Sequence, residues 1–386
     1  MGSTGKLEFA DALRGLACAS VVASHLQELF WIRSGEATGF ANTPPVPAGT
    51  GSTLFVSLTG AMPYFGFGQG GVALFFLISG FVIPLSLDRY SAGAFCVGRL
   101  WRIVPTYMVC FSVTILAIVL AGAHYGRAFP FTVREVALHS VPGVRLRADS
   151  RFVDLVIWTL EVEIIFYVLC AVAAPIVRRP GVVFMLLPIA VLVAVLTMRG
   201  WFIFTIYAPH LIFMFVGVAL SAWHVGRLAS ASACACVAVC LMLAGFALAI
   251  SPNPRLEVVA VSSVAALALF LAAYGLRARI RSTGIVRMAA MVSYPLYLVH
   301  ATAGYALMRV LLDFHLPPDA VAAIAIAAVV AIATAVHFAI ERPTQAQGQR
   351  WARHFTGAPG FPFNLRNRAA ESGRARLPRP QEPQGA

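Results

Sequence analysis

Runs of roughly 18–25 mostly apolar residues recur along this sequence, and each is long enough to cross about 30 Å of hydrocarbon as a helix. That feature leaves few folds open. Inside a bilayer every backbone N–H and C=O must find a partner within the protein, so only helices and closed barrels span it. A barrel would show alternating segments of about ten residues, and the sequence has none. Of the 386 residues, 59% are apolar and 12% charged, too apolar a mix for a soluble domain. The expected fold is an all-α integral membrane protein. The first run holds internal charges and no small-residue cleavage site, so it reads as a membrane helix and not as a signal peptide.

Ten membrane helices are expected, at residues 9–30, 70–88, 99–121, 154–177, 181–198, 201–222, 230–250, 256–276, 288–311 and 320–340. A Gly/Pro/Thr-rich loop, Trp31–Gln69, follows the first. The longest internal loop, Gly122–Val153, contains Arg127, Arg134, Arg145, Arg147 and Arg151. About 20 of the 29 Lys and Arg fall on one side, in the loops after the second, fourth, sixth and eighth helices and in the tail, which places that side and both termini in the cytoplasm. The loop 122–153 is the exception, expected outside. Residues 7–343 form one membrane domain. Residues 344–386, rich in Arg, Pro, Gly and Gln, are expected to be a disordered basic cytoplasmic tail that touches anionic lipid. The net charge of +13 thus belongs to membrane topology, and no nucleic-acid partner is expected. The seven Cys make no metal-like CxxC pair, and no Walker A, HExxH or dinucleotide-binding pattern occurs, so no metal site is expected.

The first helix, LEFADALRGLACASVVASHLQELF over Leu7–Phe30, carries Asp11, Arg14 and His25. A charge at mid-bilayer costs about 2.5–3.5 kcal/mol on insertion scales, so such residues face a protein interior or a watery cavity. Arg14 and His25 are eleven residues apart, which at about 100° per residue returns to within about 20° of the same direction, roughly 16 Å along the axis. Asp11, Arg14 and His25 therefore share one face. A neutral buried imidazole is a competent general base. The bland alternative for His25 is a hydrogen bond to a neighbouring carbonyl. Arg14 is either an anion clamp or the ion-pair partner of Asp11.

Four further segments bring chemistry. In RLWRIVPTY, Arg99 and Arg102 are neighbours on one helix face, suited either to anchoring at the basic side or to gripping phosphate through paired donors. In WTLEVEIIFY, Glu161 and Glu163 point about 160° apart, so they cannot serve one cavity. In SYPLYLVHA, Ser293, Tyr297 and His300 share a face, as a packing network or as site donors. In FFLISGFVI, Ser79-Gly80 lies outside any GxSxG elbow and reads as close helix packing.

Taken together and in order, these segments resemble one family. LEFADALRGLACASVVASHL resembles the opening helix of the membrane-bound acyltransferase-3 family, with its Leu-Arg-Gly and downstream His. FFLISGFVI, RLWRIVPTY, WTLEVEIIFY, SYPLYLVHA and Glu341-Arg342-Pro343 are similar to further family segments in family order, over residues 7–343. The resemblance implies a ten-helix, multi-pass enzyme of a bacterial inner membrane. Such enzymes move an acyl group, commonly acetyl from acetyl-CoA as co-substrate, onto a hydroxyl of a cell-surface or lipid-linked carbohydrate. It implies His25 as the catalytic histidine, general base or acyl carrier, with Arg14 its companion and Glu163 the recurring glutamate. It assigns Arg99 and Arg102, with Tyr107 of the same segment, to the acyl-CoA. Asp11, Trp158, Ser293, Tyr297 and His300 are supporting residues. Expected partners are acyl-CoA, a glycan acceptor, the bilayer and other glycan-assembly proteins. Glu161 and Ile164 depart from the family's usual Ser-Leu-Ser/Ala-Val-Glu-Glu, and the tail is too short for a fused SGNH-type domain. A transporter using Asp11, Arg14, His25 and Glu163 as a relay is the alternative.

Overall fold

The computed structural model describes residues 5–145, 151–179, 181–197, 202–253, 255–281 and 283–356. All regular structure among them is helical. Helix α1 (Gly5–Ala23) runs through a π turn (Ser24–Leu29) into Phe30–Ile32, so the first span reads Glu8–Ile32. Two short helices, α2 (Ser34–Phe40) and α3 (Leu54–Thr59), lie in the following loop. Then come α4 (Phe67–Leu87) and α5 (Ala92–His124). Helix α5 has 33 residues, about 50 Å by helical rise, longer than the hydrocarbon is thick, so its ends project. The rest of the chain gives α6 (Val133–Ser140), α7 (Ile157–Val172), α8 (Leu186–Thr197), α9 (Phe202–His224), α10 (Ser230–Ala249) and α11 (Leu256–Gly275). It closes with α12 (Gly284–Val299), α13 (Thr302–Leu312), α14 (Pro318–Val336) and α15 (Arg342–Thr356).

All ten expected regions are helical, but not all are full spans. Among the described residues, seven helices are long and apolar enough to cross a membrane, and α12 with α13, bent by 73°, makes an eighth if the pair is one span. The expected helix at 154–177 is corrected to the 16-residue α7, which stops at Ala173 before the Pro175 turn. That at 181–198 is corrected to a 3-10 turn (Val183–Met185) followed by the 12 residues of α8. Pro175 follows the end of α7 and Pro188 lies in the first turn of α8, and each removes a backbone donor.

The core is built on α4, which packs against α1, α9 and α11. A Cβ on Gly80 would collide with the Met214 carbonyl, and one on Gly217 with the Leu77 carbonyl. These two glycines let α4 and α9 approach backbone to backbone, the usual role of small residues where lipid offers no hydrophobic drive. The Ser79-Gly80 reading as a packing site thus holds for the glycine.

The segment after α5 is tied down by charge. Thr132 and Glu135 form a capping box at α6, and Arg151 bonds the same carboxylate at 2.7 Å. This pairing with Arg151 and the capping bonds from Thr132 hold the Glu135 carboxyl down at about 2. Arg145 turns inward: only 1% exposed, it meets Glu161 at 2.5 Å and 3.1 Å and Tyr207 at 3.0 Å. Two arginines of this loop are matched to carboxylates. Arg147 lies outside the described residues. The tail is corrected at its start. Residues up to Thr356 form α15, packed along α5 with Gly348 against Trp101. An amphipathic face can be buried there that no composition rule for disorder registers. Residues 357–386 lie outside the described residues.

Candidate active site

A cavity opens between α1, α4, α5, α7 and α12, with about 740 Å³ of atom-free space including its mouth. Its α4 wall runs from Val72 to Ile83, eleven residues or about 16 Å. Apolar groups make most of the wall, and the polar ones converge at one end: Arg14 from α1, Ser79 from α4, Arg99 and Arg102 from α5, Glu163 and Tyr167 from α7.

The three guanidiniums are lightly engaged. Arg14 reaches Asp11 at 3.4 Å, and the Asp11 side chain is half exposed. Arg99 donates to Ser86 Oγ at 3.4 Å and lies over the rings of Phe95 and Tyr167 at 5.2 and 5.0 Å. Arg102 makes no direct hydrogen bond to the described residues, though Glu163, Glu341 and Tyr167 lie within its electrostatic reach. Three arginines and one carboxylate line the cavity, with Asp11 beside Arg14 and Glu341 within reach of Arg102 behind it. Such a site calls for a polyanion, since Arg donors pair naturally with phosphate oxygens.

Glu163 is held from two sides. Its Oε1 accepts from Ser79 Oγ at 2.8 Å and from the Tyr167 hydroxyl, one turn further along α7. The neighbouring Glu161 faces the other way, into the Arg145 and Tyr207 network, as an offset of about 160° requires. The two carboxylates thus do separate jobs, and Glu161 is a packing ion pair.

His25 is not in the wall of this cavity. Its Nδ1 lies 2.7 Å from the Tyr305 hydroxyl on α13, and its ring stands edge-to-face with His300 at 4.8 Å between centroids. His300 occupies the bend between α12 and α13, fully buried. Tyr297 separates the two regions: it lines the cavity, lies 5.6 Å from the His300 ring, and bonds Thr159 Oγ1 of α7 at 2.7 Å. Arg14 and His25 thus face the same helix, α12, at two different levels. Arg14 shares the cavity with Ser293 and Tyr294, and His25 meets His300 beyond it.

Several expected residues are brought together here: Arg14, Arg99, Arg102, Glu163, Ser293 and Tyr297 all line the cavity. Others are not. Tyr107 does not line the cavity; it donates to the His139 carbonyl at 2.8 Å and stacks on Phe111. Trp158 lies behind the wall, tilted against His210 and edge-to-face with Phe76. Glu163 does not orient His25; Tyr305 touches that imidazole instead. Tyr305 was not legible because a 73° bend breaks the helical phase between SYPLYLVHA and it. Tyr167 could have been found: it stands four residues after Glu163 on one helix face.

A family model described as "Acyltransferase domain" matches residues 7–340. Among curated proteins and among solved structures, nothing matches the chain.

Proposed function

The chain belongs to the acyltransferase-3 family, and from that premise we propose that it transfers an acyl group, acetyl in the first instance, from acyl-CoA to a hydroxyl of a cell-surface or lipid-linked carbohydrate. Family membership gives acyl transfer in general. The observation that supports the finer reading is the cavity itself: three converging arginines at one end, and an imidazole pair past its far wall.

In this reading the CoA phosphates meet Arg99, Arg102 and Arg14, with Glu163 fixed by Ser79 and Tyr167 as their counter-charge. The pantetheine arm lies along the apolar α4 wall, whose length of about 16 Å suits an extended chain. The thioester then reaches Tyr297 and the His25/His300 level. The acceptor hydroxyl comes from the opposite side of the membrane. His25, with His300 against its ring, stands at the reacting centre, where the hydroxyl proton is taken up. The basic face that holds Arg99 and Arg102 is the cytoplasmic one, in the inner membrane of a bacterium.

The test is His25→Ala in membranes shown to contain normal amounts of the protein. With labelled acetyl-CoA as donor, incorporation into surface glycan should fall by a factor of about 100 or more, the scale of lost acid–base catalysis. Undiminished incorporation would sink the proposal. The same vesicles report on the transport alternative, which predicts solute accumulation without release of CoA thiol.

A further inference from the structure

We propose that His25 and His300 form a hydroxyl-binding pair of opposite tautomers, in which His300 accepts the acceptor's proton and His25 donates to the acyl oxygen. This rests on the acyl-transfer reading above and concerns which imidazole does what.

The hydrogen-bond inventory assigns the protons. His300 Nδ1 lies 2.8 Å from the Tyr297 carbonyl oxygen. A carbonyl can only accept, so Nδ1 holds the proton and Nε2 presents a lone pair. That Nε2 is buried and has no hydrogen-bond partner among the described residues. Buried polar atoms in native proteins are nearly always satisfied, so an orphan one marks a place for a ligand. His25 has the reverse pattern. Tyr305 is a buried residue, 1% exposed, and the only hydrogen-bond partner of its hydroxyl among the described residues is His25 Nδ1 at 2.7 Å. A buried hydroxyl keeps its proton in a hydrogen bond only by donating it, so Nδ1 of His25 accepts and Nε2 carries the hydrogen. One imidazole therefore offers an acceptor and its neighbour, 4.8 Å away edge-to-face, offers a donor. An alcohol can donate to the first, and the carbonyl oxygen of an acyl group can accept from the second.

The position fits the reaction. His300 stands where one helix breaks into two inside the bundle, and discontinuous helices build binding sites at this depth in other membrane folds. Tyr297, latched to Thr159, is the layer between this pair and the cavity.

The hydroxyl oxygen attacks the thioester carbonyl carbon while its O–H bond breaks and the proton passes to His300 Nε2. His25 Nε2–H bonds the oxyanion that forms. The C–S bond then breaks, and His300 returns the proton to the departing CoA thiolate. The ester and CoA thiol leave, and both imidazoles are neutral again in their starting tautomers.

Two variants test it in native membranes with labelled acetyl-CoA as donor. His300→Asn keeps a side-chain N–H for the Tyr297 carbonyl but has nothing at the Nε2 position. Turnover at saturating acetyl-CoA should fall about 100-fold or more, with KM for acetyl-CoA within about twofold and the melting temperature unchanged. Tyr305→Phe removes only the hydroxyl that fixes the His25 tautomer, in a nearly isosteric side chain. Its turnover should fall about tenfold, again with KM unmoved. A His300→Asn enzyme within tenfold of the parent would overturn the base assignment. A Tyr305→Phe enzyme at parental rate would overturn the tautomer assignment, whether or not the first variant accumulates. The parent and His25→Ala run alongside. If the parent acetylates no hydroxyl acceptor, the functional reading itself fails; if it does and both variants match it, only this inference fails.

Discussion

Arg102 is the residue on which the proposed donor site is best tested. It lines the cavity and makes no direct hydrogen bond to the described residues, so truncation breaks no hydrogen bond within them. A lost charge-assisted bond is worth about 1.5–3 kcal/mol, and each 1.4 kcal/mol is tenfold in affinity. Arg102→Ala should therefore raise KM for acyl-CoA by about 10- to 100-fold while leaving turnover at saturation nearly intact, measured against a donor lacking the nucleotide phosphates as control. Equal KM values for parent and variant would remove Arg102 from the donor site. The arginine motif and the charges of the first helix were legible because residue type and spacing on a helix survive folding. What each side chain touches was not: Tyr107 shares its segment with Arg99 and Arg102, yet turns to His139.

At the level of elements, the Arg145–Glu161–Tyr207 network shows how the loop after α5 is joined to α7 and α9. Arg145 is 1% and Glu161 0% exposed. Removing one partner of a buried pair leaves an uncompensated charge and costs about 3–5 kcal/mol, whereas replacing both by apolar residues of like volume is often neutral. Glu161→Ala should lower the melting temperature sharply, and Arg145→Met with Glu161→Leu should recover most of the loss. Circular-dichroism melts of the detergent-solubilised protein would measure both. Additive losses in the double variant would mean that the pair is not a unit. This network also explains why counting positive charge misjudges the loop: two of its arginines are neutralised by Glu161 and Glu135. A sequence displays Glu161 as an intruder in a family segment, and only folding brings its partner from sixteen residues upstream.

For the whole molecule, the prediction concerns sidedness. The Arg-bearing end of the cavity and the connection between α4 and α5 lie at one end of the bundle, the loop after α1 at the other, because each helix reverses the chain. In a variant without its native cysteines, Gly93→Cys and Ala48→Cys should be labelled by an impermeant maleimide from opposite sides of the membrane. Acetyl-CoA should be consumed only when supplied on the Gly93 side. Labelling of both positions from one side would overturn the topology and the two-sided delivery of donor and acceptor.

The sequence by itself determined that this is a helical membrane protein and which residues had to be explained, because hydrophobic length and the cost of buried charge act on each segment locally. It also placed Arg14 and His25 on one face, since helical phase is fixed by the backbone. Only the tertiary structure decided which of these residues meet. It gathered Arg14, Arg99, Arg102 and Glu163 into one cavity, set His25 beyond Tyr297, and put Tyr305 and His300 on that imidazole. The reason is the bend after Val299 and the close approach of helices at glycines. Both depend on how segments far apart in the chain pack, which no local period records.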